Sequence, residues 1–332
     1  MADPVCPLDD KPMKRWYFIP TDAISGKPNA FGQIYRCDHC KYAHISPMPS
    51  KEQVNEFYRL ERYYTHGQTQ FERGHSVSLL DRVRQHLAWR ADFGTPMDTP
   101  WVLSVIPKDA RTVCDLGCGS GELAAELADA GLQVTGVEPD PDAVAHTRRG
   151  KFELISASAE GSLDILKGRT FDVIVMRHVL EHCIDPNRVL TNAAALLNAQ
   201  GLLICEVPNN TAQGLRQSGA AWLMLDVPRH LHFFTGPTLV AFCRRARLDV
   251  VSTSYAGYSR QFSNDWIATE RRSWERLMDA AAAPQPRPRR NSKVRAWLML
   301  AATALVPADR KYDSVRVIAR RGIGDFVPAP LK

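Results

Sequence analysis

Apolar residues keep no regular spacing over the first 50 positions of this chain, where proline, cysteine and tyrosine are frequent, and the stretch closes in Pro47-Met48-Pro49-Ser50. Helical spacing then begins. Ser50 stands where an N-cap would, Gln53 holds the capping-box position, and Val54, Phe57, Tyr58 and Leu60 follow. A second helical stretch is predicted over about 76–93, carrying Val77, Leu80, Val83, Leu87 and Phe93, and Gly94-Thr95-Pro96 ends it.

From Thr112 the rhythm changes to short apolar runs separated by helical stretches. Strands are predicted at 112–116, 132–137, 152–157, 171–176, 201–207, 248–254 and 315–319. Helices are predicted from the glycines at 117–121 through Asp129, near 142–149, and near 188–197. Such alternation makes an α/β fold, a doubly wound and mainly parallel seven-stranded sheet with helices on both faces. Three domains are expected: residues 1–50, a helical linker or lid over 51–100, and a main domain over 101–322 with an insertion at about 256–313. The insertion holds a charged helix near 265–283 and a proline-arginine tract, Pro284 to Arg290, expected to be an exposed linker. Its apolar helix, Lys293 to Leu305, is expected to pack on the domain or on a second copy, so a homodimer is a candidate assembly.

Composition narrows the class. The chain has 332 residues, 45% hydrophobic and 23% charged, which excludes disordered and collagen-like proteins. Its longest apolar run, Ala296 to Val306, is far short of the roughly 20 residues that span a bilayer, and no membrane partner is expected. A net charge of +6, from 42 basic and 36 acidic side chains, does not point to nucleic acid. The start shows no signal peptide, so the eight cysteines are expected to be reduced and the protein cytoplasmic.

Between the first strand and its helix stands Val113-Cys114-Asp115-Leu116-Gly117-Cys118-Gly119-Ser120-Gly121. Glycines at alternate positions let the backbone turn sharply and let a ligand approach closely. Glu138 lies 21 residues beyond Gly117, at the end of the second strand, where a carboxylate accepts hydrogen bonds from ribose hydroxyls. A dinucleotide fingerprint would place its last glycine at position 122, which is Glu122 here, and a carboxylate there repels a pyrophosphate. S-adenosylmethionine has no phosphate and carries two positive groups, so acidic flanks suit it.

With Gly136-Val-Glu-Pro-Asp140, Phe171 through His182, and Gly201 through Asn209 in the same order and spacing, the chain resembles the class I S-adenosylmethionine-dependent methyltransferases over roughly residues 105–320. The resemblance implies the Rossmann-like sheet order of that fold, with an antiparallel last strand. It implies that Asp115, Gly117 and Gly119 line the methionine moiety, with Cys118 and Gly121 in the same loop. Glu138 would hold the ribose and Pro139 flank the adenine. Ser158, Ala159 and Glu160 would meet the adenine edge, while Arg177 and His178 would approach the sulfonium and the substrate.

His178-Val179-Leu180-Glu181-His182 spells H-x-x-E-H, similar to an inverted zinc-peptidase motif, but that motif needs a continuous helix and this one directly follows a strand. Three roles stay open: a divalent ion at His178, Glu181 and His182; a loop held by Glu181 and His182; or His178 facing the substrate as general base. The segment Asp226-Val-Pro-Arg-His-Leu-His-Phe-Phe-Thr235 resembles a stretch of a large bacterial subfamily. Of the two histidines in this stretch, one is expected to meet the substrate. His230 is expected to be that residue, with Arg229 as an anion contact.

Cys37-Asp38-His39-Cys40 is a C-x-x-C knuckle, preceded by Cys6 and Asp9 at a distance suited to a zinc ribbon. Relatives in the subfamily carry a second C-x-x-C where this chain has Asp9, so a Cys6, Asp9, Cys37, Cys40 zinc site is one expectation, and a ribbon that has lost its metal is the other. The reading that results is an enzyme of class EC 2.1.1 acting on a small molecule, a natural product, sugar or quinone-like acceptor, by O-methylation. Two other readings stand beside it: a nucleic-acid or protein methyltransferase, and a non-catalytic S-adenosylmethionine-binding partner protein.

Overall fold

The computed structural model describes residues 3–58, 78–140 and 150–322. The helix expected near 142–149, Leu60, and the first residues of the stretch expected at 76–93 lie outside them. In chain order the strands are β1 (Lys14–Phe18), β2 (Gln33–Arg36), β3 (Ala43–Ile45), β4 (Thr112–Leu116), β5 (Gln133–Glu138) and β6 (Glu153–Ser156). After them come β7 (Phe171–Arg177), β8 (Leu197–Pro208), β9 (His232–Phe233), β10 (Leu248–Ala256) and β11 (Ser314–Arg321). Two compact units are formed, one from residues 1–96, 206–238 and 254–316, the other from 97–205, 239–253 and 317–332. Neither follows the sequential division expected at residues 50 and 100.

In the first unit β1, β2, β3 and β9 form a four-stranded sheet, each neighbouring pair antiparallel. The N-terminal ribbon is therefore not self-contained. The outer edge of β3 carries backbone groups that need partners, and they find them in Ala43↔Phe233 and His44↔His232, with Ile45 N–H donating to the Leu231 carbonyl at 3.0 Å. The opposite edge is met too. Phe18 and Gln285 exchange both backbone hydrogen bonds, at 2.6 and 2.9 Å, and Trp274 Nε1 donates to the Pro288 carbonyl at 3.2 Å. The proline-arginine tract is thus docked, with Pro284 and Pro288 buried and the arginine heads exposed, rather than a loose linker.

All seven expected strands form one sheet, in the order β6-β5-β4-β7-β8-β11-β10. β4 pairs parallel to β5 and to β7, and β5 parallel to β6. The order reverses at β4, so the loops leaving β4 and β7 flank a crevice at the carboxyl ends of the strands, where open α/β sheets bind ligands. Val113, Leu127, Val134, Val173, Val175 and Ile204 pack the core on one face. At the other end of the strands, Asp172 clamps β4 to β7 by accepting from Arg111 N–H, Thr112 N–H and Thr112 Oγ1 within 3.0 Å. Asp185 caps the helix Pro186–Leu196 through Arg188 N–H, with proline at the first position where its missing N–H costs nothing. That helix passes straight into β8, which is why β8 starts four residues before the expected strand. Among the described residues no helix is long and apolar enough to cross a membrane.

Candidate functional site

The loop after β4 is shaped by its glycines. Gly117 has φ +75°, and a Cβ there would lie 2.4 Å from Val179 Cγ2, so the residue is constrained both by conformation and by the loop after β7. Gly117 and Cys118 N–H both donate to the Val137 carbonyl, at 2.6 and 3.2 Å, which presses the loop onto β5. At Gly119, φ +53°, a Cβ would meet nothing within 4 Å, and this is the open side of the cradle. Gly121 caps the following helix Glu122–Asp129 in the left-handed conformation.

Two buried carboxyl groups face this loop. Glu138 closes β5, where Oε2 accepts from Gly119 N–H at 2.8 Å and Oε1 from Asp140 N–H at 3.0 Å. Burial pushes it up to about 7 despite those two donors, and the charge of Asp115 adds to the rise. Asp115, in β4, is pushed up to about 6 by burial, with Arg177 pulling the other way. A ligand bringing hydroxyl donors and positive charge would complete both groups. S-adenosylmethionine brings a ribose, an ammonium and a sulfonium, so the residues fit it.

A pH dependence follows from these shifts. Both acids sit above their usual values of 4.5 and 3.8, so they favour the folded ligand-free protein at low pH, and that contribution is lost as pH rises through about 6 to 7. Cofactor binding needs the ionised carboxylates and therefore strengthens over the same window with release of protons. Calorimetric titration with S-adenosylhomocysteine in two buffers of different ionisation enthalpy should show tighter binding at about pH 8 than at about pH 5.5. Equal affinity at both would contradict the assignment.

The other expected cofactor residues are placed less simply. Pro139 follows β5 and is exposed, and Arg177 ends β7 with its guanidinium on the Met97 carbonyl at 3.2 Å. Ser158 Oγ caps its own turn through Gly161 N–H, and Glu160 Oε1 accepts from Ile184 N–H at 2.8 Å. Both side chains hold the protein's own backbone. His178 adopts φ +56° directly after β7, with Nδ1 3.2 Å from Oε1 of the wholly buried Glu181. Only a single 3-10 turn, Leu180–His182, follows, so H-x-x-E-H does not lie on a continuous helix.

In the first unit, Arg229 is 1% exposed and its guanidinium already holds Asp22 and Asp226, with N···O distances of 2.6 to 3.0 Å. The anion contact expected of it is corrected, because the anions it meets are two of the protein's own. Both histidines of this segment are buried, as residues two apart on one face of an extended chain can be. His230 Nδ1 lies 2.9 Å from the Met224 carbonyl, and His232 Nδ1 lies 2.5 Å from the Tyr42 hydroxyl. The N-terminal cysteines do converge. Cys6 and Cys40 Sγ are 3.5 Å apart, Cys37 Sγ is 3.4 Å from an Asp9 oxygen, and one ligand atom from each of the four residues falls within 4.8 Å of the others. Zinc–sulfur bonds of ~2.3 Å in a tetrahedron give edges of about 3.8 Å, so the cluster is of the right size. His39 Nδ1, 2.8 Å from Asp9 Oδ2, orients the carboxylate, a contact the spacing of the cysteines did not reveal.

Residues 89–253 match the family model described as a methyltransferase domain. The chain is 29% identical over 182 residues to a ubiquinone biosynthesis O-methyltransferase of Cereibacter sphaeroides, covering 52% of this chain and 71% of the relative. It is 27% identical over 190 residues to the protein of the same name from Albidiferax ferrireducens, covering 53% and 74%. A solved S-adenosylmethionine-dependent methyltransferase from Archaeoglobus fulgidus aligns at a TM-score of 0.46 and 19% identity, over 71% of this chain and 94% of that one. The glycine loop, the paired acids of β4 and β5 and the matched family together identify the chain as a class I S-adenosylmethionine-dependent methyltransferase.

Proposed function

We propose that this enzyme methylates a hydroxyl group of a small, quinone-like or related natural-product acceptor. The observation that carries this reading is the pair of buried acids, Asp115 and Glu138, beside the glycine loop of a chain whose relatives are named as O-methyltransferases. Bound S-adenosylmethionine supplies an electrophilic methyl group on a sulfonium. The chain's own residues would do the rest: Glu138 and the Gly117–Gly121 loop would hold the ribose and methionine ends, and Asp115 would answer positive charge. A hydroxyl acceptor must lose a proton, and an imidazole is suited to take it near neutral pH. His178 is oriented for that by Glu181. His230 donates its Nδ1 hydrogen to the Met224 carbonyl, which orients its ring.

Labelled S-adenosylmethionine offered with catechol, alcohol, amine and thiol acceptors should yield an O-methyl product by mass spectrometry, and methylation of nitrogen or sulfur alone would overturn the reading. His178→Ala or His230→Ala should lower turnover by about 10²- to 10⁴-fold, the usual contribution of a general base, with cofactor affinity nearly intact. Full turnover in both variants would remove the histidines from the mechanism.

The same reading gives the N-terminal cluster a structural zinc ion held by Cys6, Asp9, Cys37 and Cys40. Protein purified without chelator should contain close to one equivalent of zinc, and removal should lower thermal stability, since metal binding is linked to folding. Less than about 0.2 equivalents, far from the full occupancy a structural site implies, would rule the site out.

A further inference from the structure

The helix Leu79–Arg90 is turned inside out. Its inward stripe is Asp81, Arg84 and Ala88, each at most 1% exposed. Asp81 accepts from Arg84 at 2.8 Å, Lys293 Nζ at 2.7 Å and Asn264 at 3.1 Å, while Arg84 also donates to Asn264 Oδ1 and the Phe262 carbonyl. A network this complete holds the helix in one orientation. The outward stripe is Leu79, Leu80, Val83 and Leu87, spread over about 100° of the helix by its 3.6-residue period, and Leu80 is 69% exposed. Trp89 and Phe93 extend it.

The helix Lys293–Thr303, tied to the first through Lys293, is apolar on both sides. Ala296, Met299 and Leu300 face inward, whereas Val294 and Leu298 are exposed, Leu298 at 66%. Helices that are apolar all round are ordinarily covered, and exposed apolar area of this extent marks an interaction surface. Its charges say what kind. The one acid in either helix is the buried Asp81, which Lys293 answers, while Arg82 and Arg90 are exposed, and the exposed arginines 287, 289 and 290, the last 3.4 Å from Glu275, lead into the second helix.

We propose that this face binds an anionic membrane surface, with the leucines and Trp89 in the boundary between headgroups and acyl chains and the basic side chains on lipid phosphates. A second copy of the chain fits less well, because neither helix carries an exposed carboxylate to answer the Arg82 and Arg90 of its twin. The expectation of no membrane partner rested on spanning length, which a helix lying on the surface does not need, and on reading the second helix as packed on the domain or a second copy and the proline-arginine tract as a linker rather than an anionic-lipid patch. The proposal stands apart from the acceptor reading above.

The test is cosedimentation of the full chain with vesicles of phosphatidylcholine, alone or mixed with phosphatidylglycerol. Binding to the mixed vesicles should exceed binding to the neutral ones by at least ~10-fold and fall with added salt. Leu80→Glu/Leu87→Glu/Leu298→Glu should abolish it while leaving cofactor affinity unchanged. With the unmutated helices, the mixed vesicles should shift tryptophan emission to the blue, and Trp89→Phe should remove the shift. Failure of the full chain to bind anionic vesicles overturns the proposal, as does binding that survives the triple variant. A dimer that the triple variant splits, without vesicle binding, assigns the face to a second copy and overturns it as well.

Discussion

Arg229→Met should lower the unfolding free energy by about 3–5 kcal/mol, the cost of removing one partner from a buried ion cluster. The side chain is 1% exposed and gives hydrogen bonds to Asp22 at 2.7 and 3.0 Å and to Asp226 at 2.6 and 2.9 Å. It ties two loops 207 positions apart, and the carboxyl side chains of both acids are buried with it. Asp22 lies below its usual range: burial works against this, but the Arg229 guanidinium, the Ser25 hydroxyl and the Ile24 N–H outweigh it. Take the arginine away and two carboxylates remain in a low-dielectric site without their cation. Urea denaturation measures the loss. The variant Asp22→Asn/Arg229→Met/Asp226→Asn should recover most of it, because a neutral cluster has no charge left to solvate. Were stability unchanged and the acceptor KM raised instead, Arg229 would be a substrate contact after all.

Glu138→Gln should weaken S-adenosylhomocysteine binding by roughly 100-fold or more, since hydrogen bonds to a charged group are worth about 1.5–3 kcal/mol each and the ribose offers two. The stability effect has the opposite sign. Burial already pushes Glu138 up to about 7, so in alkaline solution the ligand-free protein holds a carboxylate at a cost, and the neutral amide relieves it. At about pH 8 the variant's unfolding free energy should equal or exceed that of the parent. Calorimetric titration and denaturation together separate this pattern from simple misfolding, which would lower both. A residue kept at the expense of stability is what a binding site requires. The same carboxyl governs the pH window predicted for cofactor affinity, so that dependence should flatten in Glu138→Gln.

The parts legible in the sequence are those whose cause is local. Alternating apolar runs and helical stretches made the seven strands of the large sheet readable to within a few residues, because buried strand and helix each impose their period on near neighbours. Gly117 and Gly119 announced a loop with left-handed turns, and Glu138 announced a carboxylate at the end of β5, since backbone conformation and position after a strand depend on a few adjacent residues. Cys37 and Cys40 were legible for the same reason.

Only the tertiary structure decided which charges meet. Arg229 carries the residue type expected of an anion contact, yet Asp22 claims it from the far end of the chain. Glu160 follows β6 as a cofactor residue would, yet its carboxylate holds Ile184 N–H. The edge of β3 was completed by β9, and the edge of β1 by Gln285, through backbone groups that carry no sequence signal of their own. Helix Leu79–Arg90 shows the limit most plainly. Its apolar spacing foretold a helix, but periodicity names two faces without saying which turns inward. Four long-range hydrogen bonds, two accepted by Asp81 from Lys293 and Asn264 and two donated by Arg84 to Asn264 and the Phe262 carbonyl, made that choice and left the leucines outside.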